Sequence, residues 1–438
     1  MHTGSCVMSH LFNKAQGYGL SLLTKLASHD ALDQLKIRKL LEKSLYQSSK
    51  AGFSALHKSN QIFKAKTDLE QQRLPFQNKN LFDLHLTEDQ QMTVDMMSKF
   101  AQDVLAPLAS EADQNEKFPS QLWQYAQDLG LNFFALPEAL GGVATEKNVV
   151  TNLLIAETLA AGDFSLAATL LSTPSVINAI TSWGTQEIQA TYLHRFSEHP
   201  ELIATFAVQE NTAAFNPHQL KTTAQADGQN YVIDGEKTLV LLGQHADVYL
   251  VSAMLHGKAH IFVVERNETI SVRKTPAMGL KATETVSLQF KQCPARLLSH
   301  QDWNYHEFLD LGNLMWCALA VGTCEAVKAY CIQYANERTA FGEPISHRQS
   351  VAFMIADMAI EIDAMRMLIL NAASLAESGQ SFHREAYLAR LLCAEKSMKI
   401  GTDGVQILGG HGFTKEHPVE RWYRDLRATS ILHSGLHA

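Results

Sequence analysis

Apolar and polar residues alternate with helical periodicity in the first long segment after an N-terminal stretch of about 80 residues. From Leu86 to about His199, apolar residues recur at the three- and four-residue spacing of helices. LTEDQQ (86–91) begins this segment with Thr87 as a helix cap and two acidic residues in the first turn. A loop marked by Gly141–Gly142 precedes a further helix over 148–161. This segment is predicted to be all-helical.

The spacing of apolar residues changes to a period of two between Leu202 and about Leu298. Apolar residues occupy alternate positions in short runs, for example at Tyr231 and Ile233. The turn signals DGQN (227–230) and DGEK (234–237) are expected to separate these runs. Short alternating runs with turns between them predict a β domain.

Helical spacing returns from Tyr305 to the end. The long helical candidates are 313–335, 349–377 and 383–408. Cys317, Cys324 and Cys331 repeat every seven residues and therefore share one helix face. A functional row of thiols is one interpretation, and small buried residues at a helix–helix seam are the favoured one, because free cysteine behaves as a small hydrophobic residue.

The order of these segments predicts an α+β multidomain protein. Its expected parts are a basic helical N-terminal extension (1–84), an all-α domain (85–201), a middle β-barrel or sandwich domain (202–300) and a C-terminal four-helix bundle (301–438).

Charge is distributed unevenly. Residues 1–66 hold ten Lys/Arg and three Asp/Glu, a formal charge of +7. The remaining 372 residues carry a charge of −15, so the net charge of the chain is −8. An acidic main body argues against nucleic-acid binding, which needs basic side chains against phosphates. Within the extension, 31–46 is predicted to be an amphipathic helix that either packs on the main body or contacts an anionic membrane surface or a partner.

Composition limits the class of protein further. The chain is 46% hydrophobic and 19% charged, and no apolar stretch of about 18 residues predicts a membrane-spanning helix. The six cysteines form neither a CxxC pair nor a cluster with metal-ligand spacing, so we expect a reduced cytoplasmic protein without a metal site. Peripheral membrane association through 1–66 is the alternative.

Several local motifs resemble those of the acyl-CoA dehydrogenase family. LTEDQQ…FAQDVLAP…LPEALGG (86–142) is similar to the family's first helical domain, and ANERTAFGEPISHRQS (335–350) to the segment after its first C-terminal helix. TDGVQILGGHGFTKEHPVERWYRD (402–425) is the closest match. The resemblance covers about residues 85–435 and implies an FAD-dependent enzyme that oxidises an acyl-CoA or a related thioester.

The matched positions suit a dinucleotide cofactor. Arg338 offers a guanidinium for a pyrophosphate, Phe341 an apolar face for adenine and Gln349 an amide. Gly409 and Gly410 let the backbone approach a phosphate closely. In the family these residues and the preceding Gln406 reach the FAD of a neighbouring subunit, so the resemblance implies a homo-oligomer, a dimer of dimers. Alternatively, Arg338 is a solvated surface charge and the glycines form a tight turn.

The family's catalytic carboxylate is missing from both of its usual places. Counting from Arg424–Asp425, the residue at the usual glutamate position is His433, and the alternative position on the first C-terminal helix is Gly312. An imidazole with the ordinary pKa of about 6.5 is able to act as a base near neutral pH. His433 is therefore the candidate base, and a polar residue of a frayed chain end is the other interpretation.

The chain's own half of the cofactor site also departs from the family pattern. The family's TEPGAGSD-like loop corresponds to QENTAAFN (209–216), which begins at Gln209 and places Phe215 at the serine position. Leu241 replaces a threonine that lies near the flavin in the family. Among substrate-binding positions, Asp310 is retained and Asn313 replaces an arginine.

Three interpretations remain open. The first is an active dehydrogenase with His433 or an unmatched residue as base. The second is a catalytically degenerate subunit that lends Arg338, Gln349 and the glycine pair to an FAD seated in a paralogue, as part of a heteromer. The third is a flavin-dependent monooxygenase on the same scaffold, since one fold hosts many functions.

Overall fold

Helices, a β domain and helices again follow one another in the predicted order in residues 85–144, 148–299 and 303–438, the part of the chain that the computed structural model describes. The fold class expected from the sequence is confirmed. The basic extension (1–84), its predicted amphipathic helix (31–46) and the membrane contact considered for 1–66 lie outside the described residues.

Short helices build the N-terminal domain. They are α1 Glu88–Phe100, α2 Ala106–Asn115, α3 Gln121–Asp128, α4 Val149–Ala160, α5 Phe164–Leu170, α6 Ser172–Trp183 and α7 Gln186–Glu198, with a π-helical turn at Ala101–Leu105. The cap predicted at the start of α1 is confirmed: the Thr87 side chain accepts a hydrogen bond from the Gln90 backbone, and the Gln90 side chain accepts one from the Thr87 backbone.

The middle domain contains one mixed sheet. Its strands are β1 Ala204–Ala207, β2 Thr223–Asp227, β3 Asn230–Val240, β4 Val248–Leu255, β5 Lys258–Glu265, β6 Ile270–Lys274 and β7 Val286–Leu297. β1 pairs in parallel with β4, whereas β2–β3, β3–β7, β4–β5, β5–β7 and β6–β7 are antiparallel. The turn predicted at DGQN joins β2 to β3 and is confirmed.

The turn predicted at DGEK (234–237) is wrong, because this segment lies inside β3. The pairing of β3 with β7 shifts register between Ile233 and Gly235, as in a β-bulge. Gly235 has a φ of 153°, and a Cβ there would stand 2.6 Å from the Cα of Thr222. The glycine therefore permits a close approach of two chain segments rather than a reversal of the chain.

Long helices dominate the C-terminal domain. They are α8 Tyr305–Glu337, α9 Gln349–Glu377 and α10 His383–Leu408, followed by α11 Val419–Leu426 and α12 Ala428–Ile431, with a small hairpin of β8 Thr339–Ala340 and β9 Glu343–Pro344 after α8. The helices predicted over 349–377 and 383–408 are confirmed to the residue, and α8 begins eight residues before the predicted 313. α4 of the N-terminal domain packs along α8 and α9, so the helical layer continues across the domain boundary.

α8 is the central helix of the core. Its length and mean hydropathy of 1.3 meet the criteria for a membrane span, but 67% of its most apolar window is buried inside the protein. Cys317, Cys324 and Cys331 are buried along it as free thiols, and burial raises the pKa of Cys324. The apolar character of α8 and its cysteine row is therefore explained by helix packing.

Candidate active site

The segment from Leu432 to Ala438 lies against α8 and is almost entirely buried. Its residue Ser434 is held at both backbone groups: the N–H donates to Asn313 Oδ1 over 3.1 Å, and the carbonyl accepts from Trp316 Nε1 over 2.6 Å. Leu436 and His437 are both fully buried. The interpretation of His433 as a residue of a frayed end is therefore wrong.

His433 itself is half-buried within this segment. Its ring lies edge-on to Phe215, with 6.0 Å between the ring centroids. Burial, the charge of Arg390 and the proximity of His218, in decreasing order of effect, together lower the pKa of His433 to about 4. The ordinary pKa expected from the sequence is thus corrected, and the imidazole is uncharged near neutral pH.

Gly312, the alternative position for a carboxylate, is closed by the same segment. A Cβ on this glycine would stand 2.6 Å from the carbonyl oxygen of Leu436 and closer still to the hydroxyl of Ser434. No side chain fits there without moving the chain, so α8 has no room for a base at this position.

Asp310 and Asn313 lie one turn apart on α8 and are both contacted by α10. His383 Nδ1 lies 2.6 Å from Asp310 Oδ2, and Arg390 Nη1 donates to Asn313 Oδ1 over 3.0 Å. Burial raises the pKa of Asp310, while His383 opposes this shift. Arg390 was missed by the sequence analysis, although its spacing of seven residues from His383 on one helix face was a signal that the two face α8 together.

A group of imidazoles continues outward from this site. The rings of His218 and His306 stack with centroids 4.2 Å apart, and those of His306 and His383 are 5.7 Å apart. His218 and His306 line a cavity of about 370 Å³, together with His260 and Lys258. The histidine-rich cavity, as we call it, presents polar groups that favour an anionic ligand. No cluster suited to a metal ion is found in the described parts of the chain.

A second, apolar opening lies where the β domain meets the last helices of the chain. We call it the Leu239 cleft; it is lined by Leu239, Leu280, Ile431 and Leu432, with Arg427 among its lining residues. Leu432 lines this cleft, whereas the ring of the next residue, His433, lies against Phe215. Leu241, a predicted cofactor contact, is only 3% exposed and belongs to the core shared with the helices.

The loop that follows β1 contains Gln209, the other residue predicted to contact the cofactor from this chain's own half of the site. Glu210 is buried in an ion pair with Lys237, with 2.8 Å between Nζ and Oε1, and accepts hydrogen bonds from two backbone N–H groups. Beside it, the Oε1 atom of Gln209 is buried without a hydrogen-bond partner. A buried acceptor without a donor is costly, so Gln209 is suited to a ligand that donates to it. Further along the same loop, the backbone of Ala214 has a φ of 50°, in the left-handed region.

The residues predicted to reach a neighbour's cofactor are brought together at one exposed surface. This glycine-loop surface consists of Arg338, Phe341, Gln349, Gln406, Gly409 and Gly410, and all six are exposed. The hydroxyl of Tyr334, one turn before Arg338, lies 2.8 Å from Nδ1 of His411. This contact fixes the glycine loop beside the end of α8. Phe341 is 96% exposed, and nothing lies within 4 Å of a Cβ placed on either glycine.

Comparison with known proteins gives matches over all three domains. Profiles described as the N-terminal, middle and C-terminal domains of acyl-CoA dehydrogenase match residues 87–199, 205–293 and 305–435. The chain is 34% identical over 368 residues to cyclohex-1-ene-1-carbonyl-CoA dehydrogenase of Geobacter metallireducens, covering 79% of this chain and 94% of that one. It belongs to the acyl-CoA dehydrogenase family.

Two further relatives support this assignment. An acyl-CoA dehydrogenase of Bacillus subtilis is 31% identical over 364 residues, covering 80% of this chain and 95% of the relative. The structure of butyryl-CoA dehydrogenase from Megasphaera elsdenii has a TM-score of 0.73 and 28% identity, covering 80% of this chain and 95% of that one. In this family member, His433 is contacted by Phe215 of the middle domain and lies near His218 of the same domain and Arg390 of the C-terminal helices.

Proposed function

We propose that this member of the acyl-CoA dehydrogenase family binds FAD and oxidises an acyl-CoA thioester, with His433 as the base that takes the proton from the α-carbon. The observation that carries the proposal is the position of His433. It belongs to the buried segment that Asn313 and Trp316 hold against α8, its ring lies edge-on to Phe215, and it is half-buried and uncharged.

The residues present fit FAD in three respects. The Leu239 cleft has the apolar walls that a flat aromatic ring requires. The unpartnered Oε1 of Gln209, in the loop after β1, offers an acceptor for a donor of the ligand. The glycine-loop surface combines a guanidinium, an exposed aromatic ring and open backbone. FAD, when bound, supplies the acceptor for the hydride that leaves the β-carbon.

His433 is suited to the proton transfer because it is neutral before the reaction. A pKa of about 4 gives the imidazole a proton affinity close to that of an ordinary glutamate, whose pKa is about 4.3. The proton leaves the α-carbon and is held on the imidazole, and the electron pair of that C–H bond forms the new double bond as the hydride leaves the β-carbon. Phe215 shields the imidazole on one side and thereby limits the access of water.

The histidine-rich cavity supports a coenzyme A ester as the substrate class. Its volume of about 370 Å³ lies within the usual range of ligand pockets. Lys258 and the imidazoles of His218, His260 and His306 are donors suited to phosphate oxygens. An acyl-CoA placed with its phosphates there would direct its thioester toward His433.

A second copy of the chain is the proposed partner. The glycine-loop surface is exposed on the protomer and leaves the guanidinium of Arg338 open to a ligand held by another subunit. A homo-oligomer would bring this surface onto the FAD held by a neighbour. A heteromer with a paralogue would use the same surface.

Visible spectroscopy of the purified full chain tests the proposal. We expect a yellow protein whose flavin absorbance bleaches anaerobically on adding butanoyl-CoA or a cyclic acyl-CoA, and we expect His433→Ala to retain the flavin and lose the bleaching. Unchanged bleaching by His433→Ala would remove the imidazole as base, and Asp310→Asn is then the next variant to compare.

Two other outcomes would favour the alternatives. A colourless protein that acquires flavin only when co-expressed with a paralogue would indicate a degenerate subunit. A flavoprotein that does not bleach with thioesters but consumes oxygen when its flavin is reduced would indicate a monooxygenase.

A further inference from the structure

Arg390 has a half-buried side chain with no carboxylate partner among the described residues. Its Nη1 donates to the neutral Oδ1 of Asn313 over 3.0 Å, and no ion pair of Arg390 occurs in residues 85–144, 148–299 and 303–438. Burial lowers the pKa of Arg390, and Cys317 on α8 opposes this shift only weakly. A guanidinium offers five N–H donors, so most of its hydrogen-bonding capacity is not used for holding the fold together.

The contact with Asn313 connects this charge to the backbone beside His433. Asn313 Oδ1 accepts both from Arg390 Nη1 and, over 3.1 Å, from the N–H of Ser434. Trp316 Nε1 holds the carbonyl of Ser434 from the same helix. The residue that follows His433 is therefore fixed on both sides, which fixes the direction from which the imidazole leaves the chain.

The charged and titratable groups around His433 are mostly basic. Arg390 faces it from α10 and His218 from the loop between β1 and β2, and both disfavour a second positive charge. On α8, the carboxylate of Asp310 is engaged by His383. The neighbourhood thus favours the uncharged form of the imidazole.

We propose that Arg390 is the positioning residue of this site: through Asn313 its guanidinium fixes the backbone that carries His433, and its charge adds to burial in keeping the imidazole free of a proton until substrate supplies one. The proposal rests on the proposed role of His433 as base. Arg390 acts through its neighbours and needs no contact with the substrate.

NMR titration of the histidines in the full chain tests this without requiring turnover. In Arg390→Gln we expect the pKa of His433 to rise above about 4, while burial keeps it below the ordinary value. A rise of about one unit is a tenfold change in the proton affinity. Arg390→Lys keeps the charge and is expected to keep the pKa low. His437, whose low pKa arises from burial, is an internal reference that should not move.

The matched control is Arg384→Gln, an arginine on the same helix whose side chain is 79% exposed. It is expected to leave the pKa of His433 unchanged. Should Arg390→Gln fail to fold, Asn313→Asp places a carboxylate beside the guanidinium, and the pKa of His433 should rise there too. An unmoved His433 pKa in a folded Arg390→Gln or Asn313→Asp protein overturns the proposal.

Activity separates this proposal from the proposed function. If His433→Ala still bleaches with thioesters while Arg390→Gln raises the pKa of His433, the base is elsewhere and the positioning role stands. If bleaching depends on His433, the acid limb of its pH–rate profile should move to higher pH in Arg390→Gln. In Arg384→Gln the acid limb should stay in place.

Discussion

Gly312 on α8 and Ser434 in the following segment lie so close that no side chain fits between them. A Cβ on Gly312 would contact the hydroxyl of Ser434 and stand 2.6 Å from the carbonyl oxygen of Leu436. The same packing that excludes a carboxylate from α8 holds the chain beside His433 against that helix.

We expect Gly312→Ala to lower the free energy of unfolding by about 1–3 kcal/mol, because overpacking a buried contact forces the chain to shift. Urea denaturation measures this. Gly410→Ala is the control, since nothing lies within 4 Å of a Cβ there and the stability of the protomer should be retained. Equal losses in the two variants would contradict the close contact at Gly312.

Lys237 and Glu210 form a fully buried ion pair in the β domain. Burial lowers the pKa of Lys237 to about 8, while Glu210 opposes this shift. We expect Lys237→Met to cost about 3–5 kcal/mol of unfolding free energy, because it leaves the carboxylate buried without its partner.

The double variant Lys237→Met with Glu210→Gln should recover part of that loss in chemical denaturation. Arg273→Gln, which breaks an exposed pair with Glu236, serves as the surface control and should cost no more than about 1 kcal/mol. Equal effects of the buried and exposed changes would be inconsistent with a desolvated pair.

His437 makes the stability depend on pH. Trp183 Nε1 donates to His437 Nε2 over 2.9 Å, which requires an unprotonated Nε2, and burial lowers the pKa of His437 to about 4. The native pKa lies below the unfolded value of 6.5, so the contribution is complete above pH 6.5 and is lost as the pH falls toward 4. Its full size is about 3 kcal/mol, taking 1.36 kcal/mol per pKa unit.

Thermal unfolding between pH 7 and pH 4 checks this contribution. Compared with the wild-type chain, His437→Gln should lose less stability on acidification, whereas His199→Gln, with a side chain 57% exposed, should retain the wild-type slope. If the melting temperature depended on pH in the same way in all three proteins, His437 would be ruled out as a source of acid lability.

Arg338 on the glycine-loop surface is expected to hold cofactor rather than the fold. Arg338→Ala should leave the melting temperature of flavin-free protein unchanged and weaken flavin retention by about ten- to a hundredfold, the loss of a hydrogen bond to a charged group. Flavin absorbance per protein after gel filtration measures this, with Arg273→Ala as the exposed control. Full retention of flavin by Arg338→Ala would remove the arginine from the site.

Local signals were sufficient for the helices. The limits of α9 and α10 match the predicted 349–377 and 383–408, because helical spacing and the glycines that follow the helices, Gly379 and Gly409, act within a few residues. The prediction at DGEK failed for the opposite reason. Gly235 is required by the approach of Thr222, a contact between strands that a local turn signal does not contain.

For the site, too, some properties follow from the sequence and others only from the tertiary structure. Counting from Arg424–Asp425 located His433 from the sequence alone, as spacing along a motif is a property of the chain. Its charge state was decided only by the tertiary structure, since Phe215, His218 and Arg390 come from distant segments and act through burial and electrostatics. Arg390 likewise becomes meaningful only when the packing of α10 on α8 places it against Asn313.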